Sequence, residues 1–122
     1  MKFISSKVHT IIGLIVGVLL LFAPSLFDFS DNETANLVTM GAGIFIILSE
    51  LITTSRISPL KLVPMRVHLM LDYLTGALIL LSPWLFGFAD EVAVPHVIVG
   101  ILVIGYAAMT NPDAESKKSL AE

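Results

Sequence analysis

The sequence predicts an all-α integral membrane protein, a four-helix bundle built from two tandem two-helix repeats with both termini in the cytoplasm. Three observations predict this fold: the composition, four long apolar runs, and self-similarity at one fixed spacing. Hydrophobic residues form 56% of the 122 residues and charged residues only 14%, whereas a soluble domain has roughly 25% charged residues. A soluble chain this small would need polar residues to cover its large relative surface. We therefore expect lipid, rather than water, to surround it.

Four apolar runs have about the length that an α-helix needs to cross the hydrocarbon core of a bilayer. The first and fourth contain no formal charge, the second is broken only by Glu50, and the third only by Asp72. Backbone groups in lipid must be paired within their own segment, so each run is predicted to be a helix. The predicted spans are 8–27, 34–55, 67–88 and 92–110.

The charges predict the orientation of these spans. Basic residues lie before the first span, between the second and third, and in the tail, whereas the other two connections carry only acidic residues. Cytoplasmic loops are enriched in Lys and Arg, so both termini and the middle connection are predicted to face the cytoplasm from the cell (inner) membrane. The basic residues are Lys2, Lys7, Arg56, Lys61, Arg66, Lys117 and Lys118, and the acidic residues of the opposite connections are Asp28, Asp31, Glu33, Asp90 and Glu91.

The second half of the chain repeats the first at a spacing of 59 residues, in an alignment without a gap. Between residues 8 and 41, twelve of the 34 positions are identical in the two copies, where roughly three matches are expected by chance in so apolar a chain. Matches such as His9/His68 and Pro24/Pro83 do not follow from shared hydrophobicity. The predicted organisation is one transmembrane domain over 1–122, with repeat 1 at about 7–55, a linker at 56–65, repeat 2 at about 66–110 and a cytoplasmic tail at 111–122.

The segment 81–88 reads Leu-Ser-Pro-Trp-Leu-Phe-Gly-Phe and lies near the outer end of the third span. It resembles the signature of the SPW-repeat family, small bacterial membrane proteins in which Ser-Pro-Trp marks the first of two transmembrane helices. The first copy departs from that signature, because it reads Ala23-Pro24-Ser25 and keeps only the proline. The resemblance implies the architecture of two helix pairs and implies no established biochemical activity.

The motif residues are predicted to act as structural anchors. A proline is well placed at the first position of a new helix, so Ser82 is predicted to cap a turn begun by Pro83. Trp84 falls where the helix should leave the hydrocarbon, which is the position of an aromatic belt. Pro24 is the counterpart of Pro83 in the first copy. A ligand-binding role for Trp84 is the less favoured reading.

Five glycines are predicted to lie at helix contacts, because small residues let membrane helices approach closely. Gly13 and Gly17 also form a GxxxG motif, and for this motif packing within the bundle is favoured over dimerisation. These glycines are Gly13, Gly17, Gly41, Gly76 and Gly100.

Four ionisable residues inside the spans are predicted to form one polar cluster near the cytoplasmic ends of the helices: His9, Glu50, His68 and Asp72. His68 and Asp72 are four residues apart and therefore share a helix face. The favoured reading is a set of interhelical hydrogen bonds, with Tyr73 as a possible member. The alternative is a proton or ion relay. A zinc site is conceivable, but without tight spacing that signal is weak, so no metal ligand is predicted. His96 is predicted to be interfacial.

The leading functional hypothesis is a non-enzymatic structural or accessory membrane component with no cofactor. The predicted partners are the lipid bilayer and either further copies of the chain or another membrane protein. A net charge of -3 gives no reason to expect nucleic acid. The alternative is a small proton, ion or solute transporter or channel that acts as an oligomer, since four helices are few to enclose a pathway.

Overall fold

The computed structural model describes residues 2–112 and shows four α-helices, which confirms the predicted all-α four-helix bundle. Within these residues the only β-type pairing consists of two isolated bridges. The predicted tail, including Lys117 and Lys118, lies almost entirely outside the described residues. The helices are α1 (Ser6–Leu26), α2 (Glu33–Ile52), α3 (Met65–Leu85) and α4 (Val94–Ala108).

Three of these helices, α1 to α3, are long and apolar enough to cross a membrane. The fourth helix is equally apolar but has 15 residues, which corresponds to about 22 Å. It is shorter than the predicted span 92–110 because residues 92 and 93 belong to the connection from α3 and the helix ends at Ala108, two residues before the predicted end. Large apolar side chains point outward on every helix, and Ile15, Leu37, Leu74 and Ile101 are each more than half exposed. Such an outer surface suits a lipid environment.

The helix starts follow from local sequence. Ser5 accepts a hydrogen bond from the Val8 N–H at the start of α1, and Asn32 accepts one from the Ala35 N–H at the start of α2. These side chains satisfy amide groups that have no partner inside the helix. The second hairpin uses prolines instead: Pro64 precedes α3, and a proline occupies the first turn of α4, where its missing N–H costs nothing.

Most helix contacts form within two hairpins, α1 with α2 and α3 with α4, and far fewer form between them. One apolar layer joins all four helices at the centre of the bundle. It contains one residue from each helix, and every member is at most 1% exposed: Leu20, Ile46, Ile79 and Val103.

Glycines allow the close approach of the two helices in each hairpin. A Cβ atom on Gly43 would lie 2.7 Å from the carbonyl oxygen of Gly17, and one on Gly100 would lie 2.7 Å from that of Gly76. Neither neighbour can move aside, because each is backbone. Gly17, Gly76 and Gly100 therefore make the predicted close contacts. The α2 partner of Gly17 is Gly43, which was not among the predicted packing glycines.

The predicted packing role of Gly41 is wrong, since a Cβ atom there would have no neighbour within 4 Å. The first helices correspond at the predicted spacing of 59, but Gly43 and Gly100 make matching contacts at a spacing of 57. The 59-residue spacing still holds at Phe29 and Phe88, whose N–H groups bond to equivalent proline carbonyls. The second half therefore has two fewer residues between this point and α4 than the first half has between the same point and α2. The gapless alignment consequently fails for α2 and α4.

The connection between the hairpins covers 53–64, slightly earlier than the predicted 56–65, because α2 ends at Ile52. The Val63 N–H donates to the Ile52 carbonyl at 2.9 Å, and the Thr54 N–H donates to the Val63 carbonyl at 2.7 Å. The Ser58 hydroxyl donates to the Glu50 carbonyl. The bonds to the Ile52 and Glu50 carbonyls satisfy acceptors that the end of α2 leaves without partners.

The segment before α1 is held in the same way by the chain that follows α4. The Ile4 N–H donates to the Met109 carbonyl, and the Asn111 N–H donates to the Ile4 carbonyl, both at 2.9 Å. Each hairpin is thus entered beside the point where the other hairpin ends. Both junctions lie at one end of the bundle.

The opposite end contains the turns inside each hairpin. α1 and α3 are each followed by a residue with positive φ, Asp28 at 56° and Gly87 at 75°, a conformation that glycine adopts without steric cost. Asn32 Nδ2 donates to Glu91 Oε2 at 2.6 Å. This bond connects the two acidic turns directly.

Candidate functional site

Four ionisable side chains meet in the interior, one helical turn or two from the end where the hairpins join. His9 comes from α1, Glu50 from α2, and His68 and Asp72 from α3. The exposed fraction of each is between 0% and 2%. We call these four residues the quartet, and the structure brings together all the members of the predicted polar cluster.

Histidine nitrogens and carboxylate oxygens alternate around the quartet. His9 Nε2 lies 3.4 Å from Glu50 Oε1 and 2.9 Å from Asp72 Oδ2. His68 Nε2 lies 3.1 Å from the same Glu50 oxygen and 3.3 Å from the same Asp72 oxygen. Each imidazole therefore faces both carboxylates, and each carboxylate faces both imidazoles.

The space for the Glu50 side chain exists because Gly13 has none of its own. A Cβ atom on Gly13 would overlap Oε1 of Glu50 and would also crowd the two carbons behind it. Gly13 therefore lets the Glu50 carboxylate pack directly against the backbone of α1. Its role differs from the predicted contact between helix backbones.

Each hairpin supplies one histidine and one carboxylate, by different routes. At the spacing of 59, Gly13 corresponds to Asp72; at the spacing of 57, Glu50 corresponds to Ala107. Hairpin 1 places its acid on the second helix opposite a glycine, and hairpin 2 places its acid on the first helix. The carboxylates therefore do not occupy corresponding positions, although the two hairpins contribute equally to the quartet.

Two threonines that sequence reasoning missed hold the histidine rings. His68 Nδ1 lies 2.8 Å from Thr53 Oγ1, and His9 Nδ1 lies 2.8 Å from Thr110 Oγ1. Thr53 and Thr110 occupy matching positions, just after α2 and α4. Their spacing is 57 residues rather than 59, so the gapless alignment of the two halves does not pair them.

Tyr106 also lies against the site, with its ring centroid 5.0 Å from that of His9 in an edge-on arrangement. This tyrosine is buried, whereas Tyr73 is 41% exposed. The suggestion that Tyr73 joins the cluster is therefore wrong: its position in α3, one residue after Asp72, turns it outward.

Several polar atoms of the site are buried without a hydrogen bond. They are His9 Nε2, Asp72 Oδ2, Glu50 Oε2 and the Tyr106 hydroxyl. His9 Nε2 and Asp72 Oδ2 are close enough to bond, but their groups are not aligned for it. Unpaired buried polar atoms are uncommon and need a physical explanation.

The Ser-Pro-Trp segment lies in the last turn of α3, 14 residues beyond His68, or about 21 Å along the helix. The predicted cap at Ser82 is wrong, because α3 continues through Pro83 to Leu85. Ser82 is fully buried, and its hydroxyl donates to the Ile79 carbonyl at 2.7 Å. That carbonyl is the one to which residue 83 would donate in a regular helix, and proline has no N–H.

A model of the SPW repeat domain matches residues 7–110. The chain belongs to the SPW repeat family. No curated protein and no solved structure matches the chain. The family match covers all four helices and, together with their apolar outer surfaces, indicates a membrane protein.

In this SPW repeat protein the serine and proline of the motif are internal, while Trp84 is 60% exposed on the outer surface. Pro24 is buried within α1 at the matching place. An exposed tryptophan at a helix end is compatible with the predicted interfacial anchor. His96 lies at the same end but is fully buried, in contact with the rings of Phe29 and Phe88. One end of the bundle thus contains a buried aromatic cluster around His96, and the other end contains the buried quartet.

Proposed function

We propose that this SPW repeat protein is a non-enzymatic structural component of the membrane, in which the quartet fastens two helix hairpins to each other. One observation carries the proposal: ionisable side chains from both hairpins meet in a fully buried contact, while the helices otherwise pack mostly within their own hairpin. Polar contacts of this kind join helices in lipid, where apolar surface alone gives little preference for protein over lipid.

The burial of the quartet supports a structural role over catalysis. A catalytic group must reach its substrate, and His9, Glu50 and His68 are each 0% exposed. Removing one member of a buried charged set leaves the others uncompensated, at a cost of about 3–5 kcal/mol. A set that is costly to disrupt suits a permanent fastening.

We further propose that the two hairpins arose by duplication, and that the protein lies in the bacterial inner membrane with both termini in the cytoplasm. The matching contacts at spacings of 59 and 57 support the duplication. The described basic residues cluster near the end where the hairpins join, and the acidic turns lie at the other end, which supports the orientation. The outer surface is in contact with lipid and is available to further copies or to another membrane protein.

The fastening role is tested by moving a carboxylate from one helix to the other. Glu50→Ala should lower the free energy of unfolding in detergent by about 3–5 kcal/mol. The double variant Gly13→Asp/Glu50→Ala copies the arrangement of the second hairpin, in which the acid lies four residues after the histidine. It should recover most of the loss, because the quartet again has two acids.

The matched control is Gly13→Asp alone, which adds a third carboxylate at an occupied position and should be less stable than the double variant. The measurement is reversible unfolding followed by circular dichroism. If Glu50→Ala is as stable as the wild type, the quartet does not fasten the hairpins.

A transporter is the second candidate, and the pairing of His9 Nε2 with Asp72 Oδ2 at 2.9 Å favours it, since carboxylate–histidine chains inside membranes serve as proton relays. Ion flux in proteoliposomes separates the two candidates. We expect the wild type to match empty vesicles. A flux that is lost in folded Asp72→Asn and Glu50→Gln variants would replace the structural proposal with the transporter.

A further inference from the structure

The threonines beside the quartet determine where the histidine protons lie. The Thr53 hydroxyl donates to the Ser49 carbonyl at 2.5 Å, and the Thr110 hydroxyl donates to the Tyr106 carbonyl at 2.6 Å. A hydroxyl has one proton, so each threonine oxygen must accept at its other contact. The imidazole Nδ1 atoms therefore carry hydrogen and donate to the threonines.

This arrangement leaves Nε2 of both histidines directed at the centre of the quartet. A neutral imidazole with hydrogen on Nδ1 has a lone pair on Nε2. Histidines that bind metals are held in this way, with the second ring nitrogen donating to a neighbouring acceptor. The two threonines are such acceptors, placed at matching positions in the two hairpins.

The spacing of the four inner atoms matches that of ligands around one metal ion. The histidine-to-carboxylate distances are 3.4, 2.9, 3.1 and 3.3 Å, and all four atoms lie within 4.8 Å of one another. For a mean spacing of about 3.2 Å, the centre lies about 2.0 Å from each atom in a tetrahedron and about 2.3 Å in a flat square, and bonds from zinc to nitrogen or oxygen are about 2.0–2.2 Å.

The charges and the unpaired atoms agree with this geometry. Two carboxylates buried with neutral imidazoles carry a charge of -2, which a divalent cation cancels. His9 Nε2 and Asp72 Oδ2 are buried without a hydrogen bond, and a central ion gives both atoms a partner. Four protein ligands in a closed site are typical of structural zinc, because catalytic sites keep one position open.

We propose that His9, Glu50, His68 and Asp72 form a four-coordinate site for a divalent transition-metal ion, with Zn²⁺ as the best match to two nitrogen and two oxygen ligands. This inference rests on the proposed structural role, since a closed metal site between hairpins is a means of fastening them. Each hairpin supplies one neutral and one anionic ligand, so the ion lies between the two halves and binds each equally.

The first experiment measures zinc in the full-length protein, purified in detergent with an affinity tag that contains no histidine. We expect about one zinc per chain in the wild type, as in a structural site. His68→Asn and Asp72→Asn should lose it. His96→Asn is the matched control, because His96 is equally buried but lies at the other end of the bundle, and it should retain the ion.

The second experiment does not remove a ligand and therefore remains informative if those variants fail to fold. Thr53→Val and Thr110→Val remove only the acceptor for a histidine, and each should weaken zinc affinity about 10- to 100-fold. Thr39→Val is the control: its hydroxyl is also buried and bonded to a helix carbonyl, but away from the quartet. Its zinc affinity should equal that of the wild type.

Two results overturn the metal site. One is a folded wild type that takes up no zinc; the other is a zinc content in folded His68→Asn and Asp72→Asn equal to that of the wild type. An equal loss of affinity in Thr39→Val and Thr53→Val would mean that the ion does not use the histidine that Thr53 holds. If zinc is absent but Glu50→Ala still loses stability, this inference fails and the fastening role stands. If zinc binds but Glu50→Ala is as stable as the wild type, the metal site stands and the fastening role fails.

Discussion

At the scale of single residues, buried polar groups in this protein are placed by what the neighbouring backbone lacks. Ser82 supplies the hydrogen bond that Pro83 removes from the Ile79 carbonyl. Gly13 leaves the volume that the Glu50 carboxylate fills. In both cases the position of a side chain is set by a group absent from its neighbour, so neither residue can be understood alone.

Replacing Ser82 by alanine should destabilise the protein, because the Ile79 carbonyl then has no donor in the interior. The expected cost is about 1–3 kcal/mol, the penalty for leaving a buried acceptor unpaired. Ser82→Ala/Pro83→Ala should recover much of this loss, since alanine at position 83 restores a backbone N–H. Unfolding in detergent, followed by circular dichroism, measures both variants.

Ser49→Ala is the matched control for this prediction. Ser49 is also buried, and its hydroxyl also donates to the carbonyl three residues earlier, that of Ile46. The residue after it is Glu50 rather than proline, so the helix still supplies an N–H to that carbonyl. A loss in Ser49→Ala as large as that in Ser82→Ala would show that the proline is irrelevant.

The quartet was predictable at this scale and the threonines were not. Ionisable residues stand out in apolar spans, and a spacing of four residues places His68 and Asp72 on one face. Thr53 and Thr110 are ordinary residues at helix ends, where threonine has many roles. Their function becomes visible only when the tertiary structure places them beside the Nδ1 atoms.

At the scale of whole elements, the helices were predictable to within a few residues, but the register between them was not. Hydrophobicity locates a membrane helix, and positive φ at Asp28 and Gly87 marks the same stop after α1 and α3. The turn inside the first hairpin is two residues longer than the turn inside the second, and composition does not reveal this difference. Two residues correspond to about 200° of turn around a helix. The two extra residues in the first turn therefore bring Gly43, rather than Gly41, to face Gly17.

Gly43→Ala should therefore be destabilising, while Gly41→Ala should not. A methyl group on Gly43 meets the Gly17 carbonyl oxygen at 2.7 Å, and overpacking against backbone costs about 1–3 kcal/mol. A methyl group on Gly41 meets nothing and should add up to about 1 kcal/mol through helix propensity. The two variants differ by two residues on one helix, so their thermal unfolding in detergent is compared directly.

The opposite order of stability would contradict the spacing of 57 and would restore the gapless alignment. Gly105→Ala is a further control, since an added methyl group on that glycine of α4 would also have no neighbouring atom within 4 Å. It should behave like Gly41→Ala.

At the scale of the whole molecule, the apolar surface predicts that the bundle lies in a membrane, and the charges predict which end faces which side. The described basic residues lie near the end where the hairpins join and the acidic residues of the two turns lie at the other end, and the sequence alone predicts this because loops alternate between the two sides. Which helices pair, and how the ends are joined, depends on contacts between residues far apart in the chain. The pairing of Ile4 with Thr110 has no signal in composition or periodicity.

The orientation is tested with single cysteines, since the chain has none of its own. Ser30→Cys lies in the first acidic turn and Leu60→Cys lies in the connection between the hairpins, and neither substitution alters a charge. A membrane-impermeant maleimide added to intact bacterial cells should label position 30 only. After permeabilisation it should label both.

Labelling of position 60 in intact cells would reverse the orientation. Labelling of both positions in intact cells would mean that the two ends of the bundle are not separated by a bilayer.

The bonds that hold Ile4 against the chain after α4 have a topological consequence. They place the beginning and the end of the described chain side by side, just as the link between the hairpins places its own two ends side by side. A circular permutant that joins the two ends of the described chain and opens the connection between the hairpins should therefore keep all four helices in place.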